Sequence, residues 1–100
     1  MEGYFFALQV NQRDNIATVF SNGVTDGTVV EVHDSKGGIK KYVAVGDIPY
    51  GHKLALDSIA EGTPIVKYGE VIGLASRDIK SGEYVHVHNL NAVRGRGDLN

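Results

Sequence analysis

The sequence contains no cysteine and no tryptophan, and only two prolines and one methionine. Without cysteine, neither a disulfide framework nor a thiolate metal centre can form, so the chain must stand on hydrophobic packing, and the reducing cytoplasm suits it. An excess of basic charge is missing too. Ten Lys and Arg against twelve Asp and Glu give a formal net charge of −2, which provides no basic stripe for neutralising phosphates and excludes a nucleic-acid partner. No stretch approaches the ~20 apolar residues that cross a bilayer, so no membrane span is expected. The start, Met1-Glu2-Gly3-Tyr4-Phe5-Phe6, carries an acid where an export signal needs a base. Also absent are a phosphate-cradling loop ending in Gly-Lys-Ser or Thr, a Gly-x-Ser-x-Gly elbow, and a Gly-x-Gly-x-x-Gly opening a helix. Helical periodicity is nearly lacking.

What is present describes one globular domain of 100 residues, 42% hydrophobic and 22% charged. A chain of this size buries ~60–70% of its unfolded surface, while a closed substrate pocket of ~300–1,000 Å³ would hollow out most of its core. A pocket completed by a partner is easier to build. Thirteen glycines, with Val, Ile and Tyr between them, mark short strands joined by turns, hence an all-β fold. Candidate strands are Tyr4–Val10, Ile16–Ser21, Thr28–His33, Ile39–Val45, His52–Leu56, Pro64–Tyr68, Val71–Ser76 and Tyr84–Leu90. Gly37-Gly38 is the best hairpin signal, because both glycines can take the positive φ of a tight turn. Leu56–Glu61 is the one segment expected to form a short helical turn.

An internal pattern is more specific. A β-branched residue, two others, Gly, two others and an aliphatic residue recur at Val24-Gly27-Val30, Ile48-Gly51-Leu54, Ile59-Gly62-Ile65 and Ile79-Gly82-Val85. Two copies are preceded by an acid, in Asp47-Ile48 and Asp78-Ile79. The expected unit is a corner: an inward-facing residue at a strand end, a glycine turn, and a following strand whose third residue packs back on the first. Irregular spacing excludes a solenoid, so the corners should fold one body with crossed, bent strands. Residues 1–92 form the expected domain; 93–100, rich in Gly and Arg, form an expected flexible tail.

Candidate chemistry centres on Tyr84-Val85-His86-Val87-His88-Asn89. Alternation along a strand would set His86 and His88 on one face, with Val85 and Val87 to the core. Two imidazoles so placed can ligate a divalent metal or move protons near neutral pH, or can be an exposed polar face with no role. His52 would supply a third if its turn lies alongside. Lys53, Lys67, Arg77, Arg94 and Arg96 are candidates for holding a carboxylate, most being more simply surface charges. Asp14-Asn15 reads as a turn, Tyr68 as a core or rim aromatic, and His33 beside Asp34 as surface decoration.

The run Gly51-His52-Lys53-Leu54-Ala55-Leu56, Ile59-Ala60-Glu61-Gly62, Ile65-Val66-Lys67-Tyr68-Gly69, Ile72-Gly73 and Asp78 through Leu90 resembles the N-terminal region of altronate and galactarate dehydratases. It is also similar to the small subunit of sulfolactate sulfo-lyase. The resemblance is strong over about residues 45–90 and, through Asp14-Asn15-Ile16-Ala17 and the first corner, weaker over most of the chain. It implies the SAF fold, a compact β-clip body of short bent strands with at most one or two short helical turns. It further implies a non-autonomous part of a carbon–oxygen lyase, joined to or paired with a large catalytic part. That part removes water, or in one branch sulfite, from a sugar acid or other hydroxy acid with a divalent metal, usually iron (Fe2+), held mainly by the large subunit. Proton abstraction beside a carboxylate and loss of a β-hydroxyl need a base, a Lewis acid and an acid. Carried over residue by residue, His52, His86 and His88 match the family's histidine positions as catalytic candidates, His86 and His88 also as metal ligands, and Lys53, Lys67 and Asn89 as substrate contacts. A separately encoded small subunit, favoured by Met1, or an excised domain fits the chain length, and homo-oligomers are compatible with it. Arg94–Leu99 departs from the dehydratase pattern and leaves the substrate open. The competing reading is a carbohydrate- or protein-binding SAF module without catalysis.

Overall fold

A computed structural model describes residues 5–92 of the chain. Among these residues there is no helix, and the strands are β1 (Phe6–Leu8), β2 (Ile16–Val19), β3 (Val29–His33), β4 (Ile39–Val43), β5 (Lys53–Ala55), β6 (Pro64–Lys67), β7 (Glu70–Ala75), β8 (Tyr84–Val85) and β9 (Leu90–Ala92). They form a six-stranded sheet in the order β4-β3-β1-β2-β5-β8 and a three-stranded sheet in the order β6-β7-β9. Neighbours are antiparallel except β1 and β3, which are parallel. The short strands are those expected for an all-β body, with two corrections. Leu56–Glu61 is not helical: Ile59 is tied by a backbone bridge to Ile79. The strand expected over Tyr84–Leu90 breaks into β8, a turn and β9.

The four glycine corners are two pairs. Val24 bridges to Ile48, and Ile59 bridges to Ile79. Each pair is closed by equivalent bonds: Gly27 N donates to Ala44 O and Ala44 N to Thr28 O, as Gly62 N donates to Ala75 O and Ala75 N to Thr63 O, at 2.8–2.9 Å. The acids before the second corner of each pair have the same task. Asp47 Oδ1 accepts from Asp26 N at 3.0 Å, and Asp78 Oδ1 accepts from Glu61 N at 2.9 Å. The domain is thus built twice on one plan.

The packing expected within each corner is present. Val24 and Val30, with Ile48 and Leu54, belong to one buried cluster; Ile59 and Ile65, with Ile79 and Val85, belong to a second. All eight are 3% exposed or less. At ~1.5–3 kcal/mol per fully buried aliphatic side chain, these positions dominate the apolar stabilisation of a chain this small. The wall between the clusters is β2 with β5. Ala17 and Val19 face the first cluster and Ile16 the second, so β2 is buried along its whole length.

Each half carries a protruding hairpin. The Gly37-Gly38 signal correctly locates the β3–β4 hairpin, but the turn is a five-residue loop and not a two-glycine turn. Asp34 Oδ1 accepts from both Lys36 N and Gly38 N at 2.8 Å, and only Gly37 of the two glycines has positive φ. These bonds to the ionised carboxylate hold the Asp34 pKa below its ordinary value. The β6–β7 hairpin turns at Tyr68 and Gly69, with φ of +56° and +77°. A tyrosine in the left-handed region is unusual. Loop 11–15 clamps this hairpin: Asp14 Oδ1 accepts from Gly69 N, Asn15 Oδ1 accepts from Val66 N, and Asn15 Nδ2 donates to Pro64 O, at 2.8–3.0 Å.

Candidate functional site

β5 and β8 pair with Lys53 opposite Val85 and Leu54 opposite Tyr84. Directly opposed residues share a face, and faces alternate along a strand. Tyr84 therefore lies with Leu54 against the first cluster, while Lys53 lies with Val85 on the side of the second. His52, one residue before β5, joins the Tyr84 face: its Nδ1 is 2.8 Å from the Tyr84 hydroxyl. Its ring centroid is 4.8 Å from that of His86. Tyr84 stacks on His86 with an interplanar angle of 8° at 5.7 Å, and its ring lies 5.4 Å from His88. Three imidazoles from two segments thus gather about one phenol.

The route by which His86 arrives differs from the one expected. The backbone leaves β8 after Val85 and turns through residues 86–89, so Val87, expected in the core, is 76% exposed. The ring contacts pair His52 with His86 across β5 and β8, instead of His86 with His88 along one strand. The turn is templated by Asn89, which is fully buried. Its Oδ1 accepts from His86 N and its Nδ2 donates to Tyr84 O, both at 2.9 Å, so a side chain expected at substrate is occupied in holding His86 in place. Such local bonding is what asparagine offers a turn, and it marks positions where a strand pattern gives way.

Lys53 is half-buried on the other face. Burial first, and the charge of Lys67 second, lower its pKa from the ordinary lysine value. Lys67 itself lies with its Nζ 4.9 Å from the centre of the exposed Tyr68 ring. The six expected residues are therefore divided: His52, His86 and His88 surround Tyr84, Lys53 and Lys67 sense each other beyond the sheet, and Asn89 lies beneath the turn. Arg94 and Arg96 lie outside the described residues. Tyr84 is the residue that sequence reasoning missed. Its signal was the register that sets it beside His52 once Gly51 and Gly82 are recognised as equivalent corners.

The metal implied by the resemblance is not accommodated by these side chains alone. Among the described residues no group of three His, Asp or Glu is placed to hold a metal ion, and Nδ1 of His52 is already engaged by Tyr84. An open groove of about 590 Å³ lined by Ser58, Arg77, Asp78, Lys80 and Glu83 among others contains no imidazole. The cluster is a surface site, with His52, Tyr84 and His86 half-buried and His88 exposed, and its groups are suited to moving protons. None of the helices expected of a membrane span exists among the described residues.

An all-β domain with duplicated glycine corners and an imidazole cluster at its surface is the class these features define. Over residues 5–93 the chain matches the family described as altronate/galactarate dehydratase SAF domain, and it belongs to that family. It is similar to altronate dehydratase of Bacillus subtilis, 63% identical over 43 residues, which are 43% of this chain and 9% of that protein. Altronate dehydratase of Escherichia coli is 35% identical over 82% of this chain and 15% of its own length. The (2R)-sulfolactate sulfo-lyase subunit alpha of Paracoccus pantotrophus is 41% identical over 54% of this chain and 81% of its own length. The chain thus spans a small fraction of the dehydratases and between half and four-fifths of the sulfo-lyase subunits it matches.

Proposed function

We propose that this chain is the SAF component of a hydroxy-acid lyase of the altronate/galactarate dehydratase type, acting in the cytoplasm with a large catalytic partner. The observation that carries this reading is the gathering of His52, His86 and His88 about Tyr84 on one face, in a chain whose relatives include dehydratases and sulfo-lyase subunits. A surface site leaves reacting groups in water, and a partner pressed against it would exclude that water and supply the missing metal ligands. His52 and His86 would then exchange protons with a sugar acid or related hydroxy acid as it loses water, or sulfite in the sulfo-lyase branch. Lys53, Lys67 and Asn89 are assigned differently by their positions. The two lysines are candidates for substrate carboxylate, approached past the β8 edge, and Asn89 supports the His86 turn. A divalent metal, iron by the resemblance, would be held by the partner and would supply Lewis acidity there.

The test is reconstitution with the large catalytic polypeptide. The chain alone should dehydrate no hexonate or hexarate. In the assembled enzyme, His52→Ala and His86→Ala should each lower turnover by ~10²-fold with assembly intact, in line with loss of one acid–base group. Unchanged turnover in both variants would leave a binding module as the better reading. The absence of any imidazole from the groove lined by Arg77 and Glu83 favours that competing reading.

A further inference from the structure

Tyr84 meets every imidazole of the cluster, and its own place is set independently of them by pairing with Leu54 and by packing on the first core. We propose that Tyr84 is a positioning residue that presents Nε2 of His52 as the working nitrogen of the shared site. The hydroxyl is 2.8 Å from Nδ1, so Nδ1 is the nitrogen withheld and Nε2 the one left for a substrate or a partner group. The phenol oxygen accepts from Nδ1–H in the neutral and in the charged ring alike, so Nε2 alone gains and loses the proton. The imidazole keeps its orientation in both protonation states, as a group that takes up a proton and returns it requires. A carboxylate in this place would accept as well, but its charge would favour the charged ring.

The same phenol sets the second imidazole. His86 stacks on its ring within 8° of parallel, while the Asn89 turn holds the His86 backbone. Ring plane and main chain are thus fixed from two directions, and the 4.8 Å separation from His52 follows. This role deepens the function proposed above. Its consequence for turnover rests on that reading, whereas its effect on the His52 ring does not.

Tyr84→Phe keeps the aromatic ring and its packing and removes the hydroxyl alone. Long-range nitrogen spectra of the full chain, recorded at about pH 8.5 where an ordinary imidazole is neutral, read the two ring nitrogens separately. In the parent protein, neutral His52 should show Nδ1 carrying the proton, donated to the phenol oxygen, and Nε2 bare. In Tyr84→Phe the Nδ1 resonance should move clearly, while His33 on β3 keeps its spectrum. An Nδ1 resonance identical in the two proteins overturns the proposal. In the enzyme assembled with its large partner, the same substitution should lower kcat by ~10–100-fold, the range found when a group orienting a reactive histidine is lost, with KM little changed. A moved resonance with unchanged kcat overturns the working role of His52 and the shared-site reading with it, leaving Tyr84 as a purely structural partner of the ring.

Discussion

The two halves of the domain share one frame and spend it differently. Ala44 to His52 reads Ala-Val-Gly-Asp-Ile-Pro-Tyr-Gly-His, and Ala75 to Glu83 reads Ala-Ser-Arg-Asp-Ile-Lys-Ser-Gly-Glu. His52 N donates to Pro49 O, and Glu83 N donates to Lys80 O, so the two final residues stand at equivalent places. Their side chains do not have equivalent duties. Glu83 Oε1 reaches back to accept from Lys80 N at 2.8 Å and closes its own corner. In the first half the residue matching Lys80 is Pro49, which has no N–H to satisfy. No acceptor is needed there, and the position is free to carry an imidazole toward Tyr84. One proline thus separates a structural corner from a chemical one.

The sharpest contrast between the halves is at the corner glycines. Gly51 and Gly82 both have positive φ, at +84° and +87°. A methyl group on Gly51 would meet nothing within 4 Å, whereas one on Gly82 would run into the Val43 carbonyl oxygen. Gly51→Ala should cost only the ~1–2 kcal/mol of the left-handed conformation. Gly82→Ala should cost ~3 kcal/mol or more, because backbone must move as well. Urea unfolding of the two variants decides this, and equal losses would mean that the halves are not packed as described. A smaller difference is expected one residue on. Glu83→Ala should cost ~1 kcal/mol by orphaning Lys80 N, and His52→Ala less than ~0.5 kcal/mol. A His52→Ala loss equal to that of Glu83→Ala would break the division of labour.

Much of the fold was legible in the sequence, because the corner pattern couples a glycine to two inward residues at fixed spacing. All four corners therefore packed as read, and the resemblance to the SAF family was carried by the same residues. What stayed hidden was pairing at a distance: nothing local says that Val24 meets Ile48 or that Ile59 meets Ile79. The site was half legible. The sequence points to His52, His86 and His88, but period-two alternation fails past Val85, where the buried Asn89 amide bends the chain and turns Val87 outward. The role of Tyr84 depends on register with β5, which no local pattern encodes. The turn expected at Asp14-Asn15 is centred on Gln12 and Arg13, with Asp14 N donating to Asn11 O, and the Asp14 and Asn15 side chains reach across the molecule to Gly69 and Val66.

The hairpins extend the comparison to its smallest effect. The β6–β7 turn is held from outside by Asp14, whereas the β3–β4 turn is held from within by Asp34, whose carboxylate accepts two amides of its own loop. Because those bonds favour the ionised form, the folded pKa of Asp34 lies below the ordinary aspartate value near 3.8. The sign follows from linkage. Its contribution is complete above the unfolded value and is lost as pH falls through the lower folded value, so nothing should change between about pH 7 and pH 5. Amide resonances of Lys36 and Gly38 should therefore titrate with a midpoint below 3.8. Since the loop is solvent-exposed at the hairpin tip, Asp34→Asn should loosen those amides to exchange clearly while lowering the global unfolding midpoint at neutral pH only slightly. A midpoint at or above the ordinary value would show that the loop does not depend on this carboxylate, and that both hairpins are held by contacts outside their own turns.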